Sequence, residues 1–388
     1  MGKIGIYGGT FNPPHVGHVR AAQFALEALC LEKLLIIPSY LSPHKQLPEG
    51  SADAGQRLEM LQLCFADPRI TVSDLELQRG GTSFTYETVA QIHDLYPEEE
   101  LVLLMGTDMF LSFLNWRNPD VILSHVSLGV FYRGDRDEMT AVAAQKQTIE
   151  AMGATVYLVE NPVTEISSTD LRRMVAFDCA GEFLMPGVDA YIRENRLYAR
   201  PAPGLSETEL EKTVISLLKP NRVAHVLGCR DTAVAMAEKW GVSTTDAARA
   251  ALLHDITKAL DGPLQLTLCR AYGIILDDFS AHNPKTLHAL TGSLVAQRIF
   301  GENPAVVSAI ASHTTGKPAM NVLEKIIYIA DYMEPNRSFD GVEQLRHLAF
   351  TDLDGALILG LNMTLETLRR EGKQISPESQ RALDYFCK

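Results

Sequence analysis

The sequence predicts two domains of different class, a doubly wound α/β domain followed by an all-α helical bundle. Three observations predict it. Over residues 1 to about 198, short β-like apolar runs alternate with longer helical periods, as in stacked βα units. Beyond about 206, strand alternation disappears and the apolar periods are helical. Between them, Arg200-Pro201-Ala202-Pro203-Gly204-Leu205-Ser206 concentrates proline and glycine as a linker does. At 388 residues the chain is long enough for two cores.

The expected strands are Lys3 to Tyr7, Lys33 to Pro38, Leu101 to Gly106, Val126 to Phe131 and Ala154 to Leu158. Between them Val16 to Leu29, Arg57 to Phe65, Thr85 to Leu95 and Thr140 to Met152 carry apolar residues at three- and four-residue spacing, the mark of amphipathic helices. Pro13 and Pro14 keep the first loop extended and delay its helix to about His15. Ser206, with Glu209 three residues on, is a capping-box signature that opens the second domain. There, Leu210 to Leu218, Val223 to Trp240, Thr245 to Leu260, Thr286 to Phe300, Leu323 to Tyr332 and Leu353 to Arg370 read as helices. The expected boundaries are a first domain over 1–199, a linker over 200–206 and a second domain over 207–388.

Composition narrows the class. Apolar residues make up 46% and charged residues 21%, which excludes wholesale disorder. The formal charge of −13 would repel a phosphate backbone, and acidic residues outnumber basic ones in both halves, so no nucleic-acid partner is expected. Six scattered cysteines without CxxC spacing read as reduced thiols. The N-terminus runs directly into a strand pattern without a signal-like stretch, and no run approaches the ~18 apolar residues of a membrane span. A cytoplasmic protein with no membrane partner is expected, and a homo-oligomer is left open.

The first βα junction reads Gly8-Gly9-Thr10-Phe11-Asn12-Pro13-Pro14-His15-Val16-Gly17-His18. Glycines after a buried strand let backbone N–H groups approach a phosphate, and the helix start offers its positive end to the same anion. The spacing is not that of the GxGxxG fingerprint. A second helix start, Ile166-Ser167-Ser168-Thr169-Asp170-Leu171-Arg172, suits phosphate oxygens too. The first string resembles the GTFxPxHxGH signature of the nucleotidyltransferase superfamily, and the second resembles its ISSTxxR adenylate-binding motif. Ser42-Pro43-His44-Lys45, Gly106-Thr107-Asp108, Thr85 within Ser83-Phe84-Thr85-Tyr86-Glu87-Thr88, and Trp116 are similar to segments of the bacterial nicotinate-nucleotide adenylyltransferases. This resemblance, over essentially all of 1–198, implies a Rossmann-like domain that joins ATP, with Mg²⁺, to nicotinate mononucleotide. It implies an ATP site of Gly8, Gly9, Thr10, Phe11, His18, Gly106, Asp108, Ile166, Ser167, Ser168 and Arg172. It implies a nicotinate-nucleotide site of Asn12, Lys45, Thr85 and Trp116, with His15, His18, Lys45 and Arg172 stabilising the transition state by alignment and positive charge. Another phosphorylated acceptor, such as phosphopantetheine, is the alternative.

In the second half, His254-Asp255 sits in the otherwise apolar Ala250 to Ile256, where a polar pair is costly unless satisfied. His225, His288, His313 and Asp331 lie on successive helices and can project into one bundle interior, giving ligands for two ions if a carboxylate bridges. Lys258 shares the face of His254 and Asp255 and is expected to contact phosphate, or else to be a solvated partner of Asp255. The order H…HD…H…H…D resembles the HD-domain phosphohydrolases. Ser312-His313-Thr314-Thr315-Gly316 and Ile329 to Arg337 are similar to the bacterial symmetrical diadenosine tetraphosphate hydrolases. That resemblance implies two metal ions, of iron, at His225, His254, Asp255, His288, His313 and Asp331, and catalytic roles for Asp255 and Lys258. A nucleotidase, a cyclic-nucleotide phosphodiesterase or a non-catalytic nucleotide sensor are the alternatives. His282 falls in a loop-like segment outside the pattern.

Overall fold

The computed structural model describes residues 2–43, 47, 48, 50–132, 136–160, 166–198 and 200–388. The chain divides into two compact units, residues 1–175 with 180–199, and residues 200–388 with 176–179. Among the described residues no helix is long and apolar enough to cross a membrane, and none of the six cysteines is in a disulfide.

In the first unit β1 (Lys3–Gly9), β2 (Lys33–Pro38), β3 (Ile70–Val72), β4 (Glu100–Gly106), β5 (Ser127–Tyr132) and β6 (Val156–Glu160) form a parallel sheet of order β3-β2-β1-β4-β5-β6. The connecting helices are α1 (Val16–Ala28), α2 (Ala54–Gln62), α3 (Leu75–Arg79), α4 (Thr85–Leu95), α5 (Thr107–Leu111), α6 (Pro119–Leu123), α7 (Arg136–Ala151), α8 (Ser168–Ala176) and α9 (Pro186–Glu194). The inner strands read as unbroken apolar runs because both faces are covered. Leu35, Ile37, Leu101, Leu103 and Met105 pack on one side, and Leu34, Ile36, Val102 and Leu104 on the other. Gly5 permits that packing: a Cβ there would lie 2.6 Å from the Leu31 side chain. β3 escapes sequence reading because Ile70-Thr71-Val72 is a three-residue edge strand, too short for a period. The strand order reverses between β1 and β4, so a crevice is expected beyond their carboxyl ends.

The second unit is helical: α10 (Glu207–Leu217), α11 (Pro220–Trp240), α12 (Thr244–Leu253), α13 (Gly262–Ala271), α14 (Asp278–His282), α15 (Leu287–Arg298), α16 (Pro304–Ser312), α17 (Val322–Met333), α18 (Val342–Ala349), α19 (Leu353–Arg370) and α20 (Pro377–Phe386). Ser206 and Glu209 form the reciprocal cap of α10. α12 buries Ala247, Ala248, Ala250 and Ala251, and such small side chains let neighbouring backbones close in.

Two expectations are corrected here. The helix expected over Thr245 to Leu260 ends at Leu253, and His254 caps it. The chain continues in tight turns, with Ile256 N–H donating to Leu253, Lys258 to Asp255 and Leu260 to Thr257. A three-residue repeat eclipses positions three apart, which stacks Asp255 and Lys258. Buried partners override the helical period: the Thr257 hydroxyl donates to the His288 carbonyl (3.1 Å), while Gln265 Nε2 donates to the Thr257 carbonyl (2.7 Å). The segment around His282, expected to be a loop, contains the single-turn helix α14, capped by Asp277.

Candidate active sites

At the end of β1 the chain enters α1 through Gly8, Gly9, Thr10, Phe11 and Asn12. Gly8 is exposed, with open space where a Cβ would stand. His15 and His18 cap α1 reciprocally: His15 Nδ1 accepts from Gly17 N–H and His18 Nδ1 accepts from His15 N–H, both at 3.2 Å. Their ring centroids are 3.7 Å apart. Because each Nδ1 accepts, each neutral ring carries its proton on Nε2. Burial pushes His15 down to about 4, and burial together with the neighbouring His15 holds His18 well below the usual histidine range. Burial thus favours the neutral form of both rings, with Nε2–H as the donor.

α8 begins beside the same loop. Arg172 Nη1 donates to the Asn12 carbonyl (2.8 Å) and Nη2 to Thr169 Oγ1 (3.2 Å), while Ser167 Oγ accepts from Asp170 N–H (3.0 Å). Beneath the loop lies Arg57, almost fully buried. It donates to the carbonyls of Thr10 (2.7 Å), Ser39 (2.6 Å) and Tyr40 (3.2 Å), joining the ends of β1 and β2. Two helix N-termini and two guanidinium groups therefore surround the exit of β1, an arrangement suited to polyphosphate.

In the second unit, α11 supplies His225, the turn after α12 His254 and Asp255, α15 His288, the end of α16 His313, and α17 Asp331. The six converge. Asp255 Oδ2 lies 3.7 Å from His225 Nε2 and 3.5 Å from His254 Nε2, while Asp255 Oδ1 lies 3.4 Å from His288 Nε2 and 3.8 Å from His313 Nε2. Asp331 Oδ1 joins the first pair, 3.1 Å from His225 and 3.8 Å from His254. Each imidazole is aimed by its other nitrogen. His254, His288 and His313 donate Nδ1–H to the carbonyls of Ala251 (2.6 Å), Lys285 (2.8 Å) and Ile310 (2.7 Å), and His225 donates to Glu334 (3.1 Å). Every Nε2 is thus left facing the carboxylates.

These residues fit divalent cations. His254 Nε2 and Asp255 Oδ1 are buried without a hydrogen-bond partner, which is costly for a protein that holds nothing there. Burial alone would raise Asp255, but His254 and its other neighbours hold it well below the usual carboxylate range. Burial, with Lys258 and His313 close by, drives His288 down to about 3, and a neutral imidazole is the form that binds metal. His225, Cys229, His254 and Asp331 form one group of potential ligands, and His254, Asp255 and His313 another. Lys258 stands at the exposed edge of the cluster, its Nζ meeting both Asp255 Oδ1 (3.5 Å) and His288 Nε2 (2.8 Å).

Residues 6–174 match the cytidylyltransferase-like family and residues 222–336 match the HD domain. A probable nicotinate-nucleotide adenylyltransferase of Geobacillus thermodenitrificans is 36% identical over 234 residues, covering 60% of this chain and 99% of that protein. One of Geotalea daltonii is 33% identical over 212 residues, covering 50% of this chain and 98% of that protein. The chain belongs to the nicotinate-nucleotide adenylyltransferase family. Among solved structures, a predicted HD superfamily hydrolase involved in NAD metabolism from Clostridium acetobutylicum is 36% identical and covers 47% of this chain and 97% of its own, with a TM-score of 0.46.

Within the adenylyltransferase unit, Gly106 and Asp108 stand at the end of β4, beside β1, with Asp108 exposed. Ile166 is buried ahead of α8. Asn12 is turned inward: its amide donates to Ser51 Oγ (3.0 Å) and its carbonyl accepts from the Tyr198 hydroxyl (2.7 Å), so much of its side chain holds the loop. Thr85 begins α4, and Trp116 packs on Phe113 at 5.4 Å between centroids. His44 and Lys45 lie outside the described residues. Sequence reading missed Arg57, Glu334 and Cys229. Cys229 carried a weak signal, lying one helical turn after His225, whereas Arg57 read as one more charge on a helix.

Proposed function

We propose a bifunctional enzyme, cytoplasmic, with two separate phosphate chemistries. The first unit transfers AMP from ATP to nicotinate mononucleotide. A phosphate oxygen of the mononucleotide attacks the α-phosphorus of ATP in line, the bond to the β-phosphate breaks, and deamido-NAD and pyrophosphate result. No protein nucleophile is needed, so the residues align and stabilise. Gly8, Gly9, Thr10, Phe11, Gly106, Asp108, Ile166, Ser167 and Ser168 hold ATP, with Mg²⁺ carried on its phosphates. His15 and His18 donate Nε2–H groups to phosphate oxygens, Arg172 and Lys45 supply charge, and Asn12, Thr85 and Trp116 receive the nicotinate nucleotide. The observation that carries this reading is the meeting of the α1 and α8 starts at the end of β1. The relatives' descriptions support the acceptor.

The second unit hydrolyses diadenosine tetraphosphate to two ADP. The observation that carries it is Asp255, one oxygen facing His225 and His254 and the other facing His288 and His313. The six residues would hold two divalent ions, of iron in this reading, which would offset phosphate charge and lower the pKa of a water; that water attacks one of the two central phosphorus atoms, the bond from it to the central bridging oxygen breaks, and the second ADP leaves with that oxygen. Lys258 binds the phosphate, and Glu334 fixes the His225 tautomer.

Pyrophosphate release from ATP with nicotinate mononucleotide, against nicotinamide mononucleotide and phosphopantetheine, tests the first activity; no turnover of either pyridine nucleotide sinks it. For the second, the metal-loaded chain is assayed with diadenosine tetraphosphate, a nucleoside monophosphate and a cyclic nucleotide. His254→Ala or Asp255→Ala should abolish hydrolysis and spare adenylyl transfer, and normal hydrolysis by both removes the metal site.

A further inference from the structure

The buried stripe of α11 runs through His225, Cys229, Ala233 and Ala237, each one helical turn after the last. Cys229 therefore shares the face that carries His225 into the ligand cluster, and it is 1% exposed. This turn of α11 lies close against the end of α17. A Cβ on Gly228 would stand 2.6 Å from Glu334 Oε2, so glycine permits the approach, and Asn336 Nδ2 donates to the Ala224 carbonyl at 3.2 Å. A buried free cysteine packs as a small apolar side chain, a role that alanine or valine fills equally. What sulfur adds at this position is a metal donor.

The sulfur meets the ligand-facing side of the His225 ring. Cys229 Sγ lies 3.9 Å from His225 Nε2, whereas the opposite nitrogen, Nδ1, is taken up by Glu334. One donor atom from each of His225, Cys229, His254 and Asp331 lies within 4.8 Å of the other three. Within that set Asp331 Oδ1 is 3.1 Å from His225 Nε2 and 3.8 Å from His254 Nε2. Donors that share one ion stand about 3–4 Å apart when metal–nitrogen and metal–oxygen bonds are ~2.0–2.2 Å and metal–sulfur bonds ~2.3 Å. His254 Nε2, fully buried and without a hydrogen-bond partner, points independently to a ligand here. The other group of potential ligands, His254, Asp255 and His313, holds nitrogen and oxygen alone.

We propose that Cys229 is a thiolate ligand of the ion on the His225 side, so that the two metal positions are chemically unlike and a thiophilic divalent cation, such as zinc, cobalt or cadmium, fills the sulfur-bearing one first. The inference rests on the two-ion reading above. Soft thiolate donors favour such cations, whereas imidazole and carboxylate donors accept harder ones as well. On binding, the thiol S–H bond is exchanged for a metal–sulfur bond and the proton passes to solvent.

The full chain, stripped with a chelator, is titrated with Co²⁺ in the absence of oxygen. The wild type should show visible ligand-field bands and, with the first equivalent, a near-ultraviolet sulfur-to-cobalt charge-transfer band. Cys229→Ser and Cys229→Ala should keep the visible bands and lose the near-ultraviolet one. Visible bands without the sulfur band in the wild type, or a sulfur band that survives both substitutions, overturns the proposal and leaves the metal reading standing. No cobalt band of either kind in the wild type overturns both. Affinities measured by competition with a chromogenic chelator give a second readout. Cys229→Ser should weaken Cd²⁺ at least ~10-fold but Mn²⁺, which prefers oxygen donors, by no more than ~3-fold. An equal loss for the two ions marks a packing role for Cys229 and overturns its assignment as a ligand.

Discussion

His15 is at once a helix cap and a buried neutral base, and that ties the stability of the first unit to pH. Its folded pKa, about 4, lies below the ~6.5 of an unfolded histidine, so between those values the unfolded chain binds more protons. Stability is complete above about pH 6.5 and falls as the pH drops toward 4, by at most ~1.4 kcal/mol per pH unit from this residue. His15→Asn keeps a capping acceptor but cannot titrate, so melting temperatures of this variant across pH 4–7 should show a shallower acid slope than the wild type. In the second unit, the buried Glu334 carboxylate accepts a hydrogen bond from His225 Nδ1–H. Glu334→Gln should weaken metal affinity ~10–100-fold, read by titration with a chromogenic chelator as competitor.

At the scale of elements, Arg57 on α2 pins the β1 and β2 exits through three carbonyls. Arg57→Met removes the donors and strands those carbonyls, so it should cost ~3 kcal/mol or more in denaturant unfolding, at the low end of the sum for several buried groups left unpaired. Adenylyl transfer should fall with it, since the same loop carries Gly8 to His18. The turn after α12 follows a comparable logic. Its hydrophobic sequence, Ala250 to Ile256, continues a helical period, yet the Thr257, Gln265 and Thr291 network draws the backbone into three-residue turns. Thr257→Val should preserve volume but lower the second unit's melting temperature and hydrolysis together, because Asp255 and Lys258 depend on that turn.

At the scale of the molecule, two units with separate cores should respond separately to loss of metal. A metal held only by the folded second unit would contribute ~2.7 kcal/mol at ~100-fold excess over Kd, and chelation would remove that contribution. Calorimetry of the stripped chain should show one transition moved down and the other in place, with adenylyl transfer intact once Mg²⁺ is restored. The net charge of −13 fits this picture. Arg57 and Arg172 stand at the β1 exit, and Arg222 and Lys258 beside Asp255, so cations are gathered at both candidate sites on an otherwise acidic chain.

The sequence by itself determined the class of each half, the motif residues at the β1 exit and all six residues that converge in the second unit. Those signals are local: a glycine-rich turn, a helix-start cap and apolar periods are written in adjacent positions. Tertiary structure decided what depends on contacts between distant positions. It favoured the neutral form of His15 and His18, which follows from burial, and set the two-sided use of Asp255, which requires four elements to meet. It also gave Arg57 its place beneath the loop and ended α12 at Leu253. A charge on a helix face carries no mark of the carbonyls it will meet, and a buried hydroxyl can overrule a period only once its partners have been brought to it.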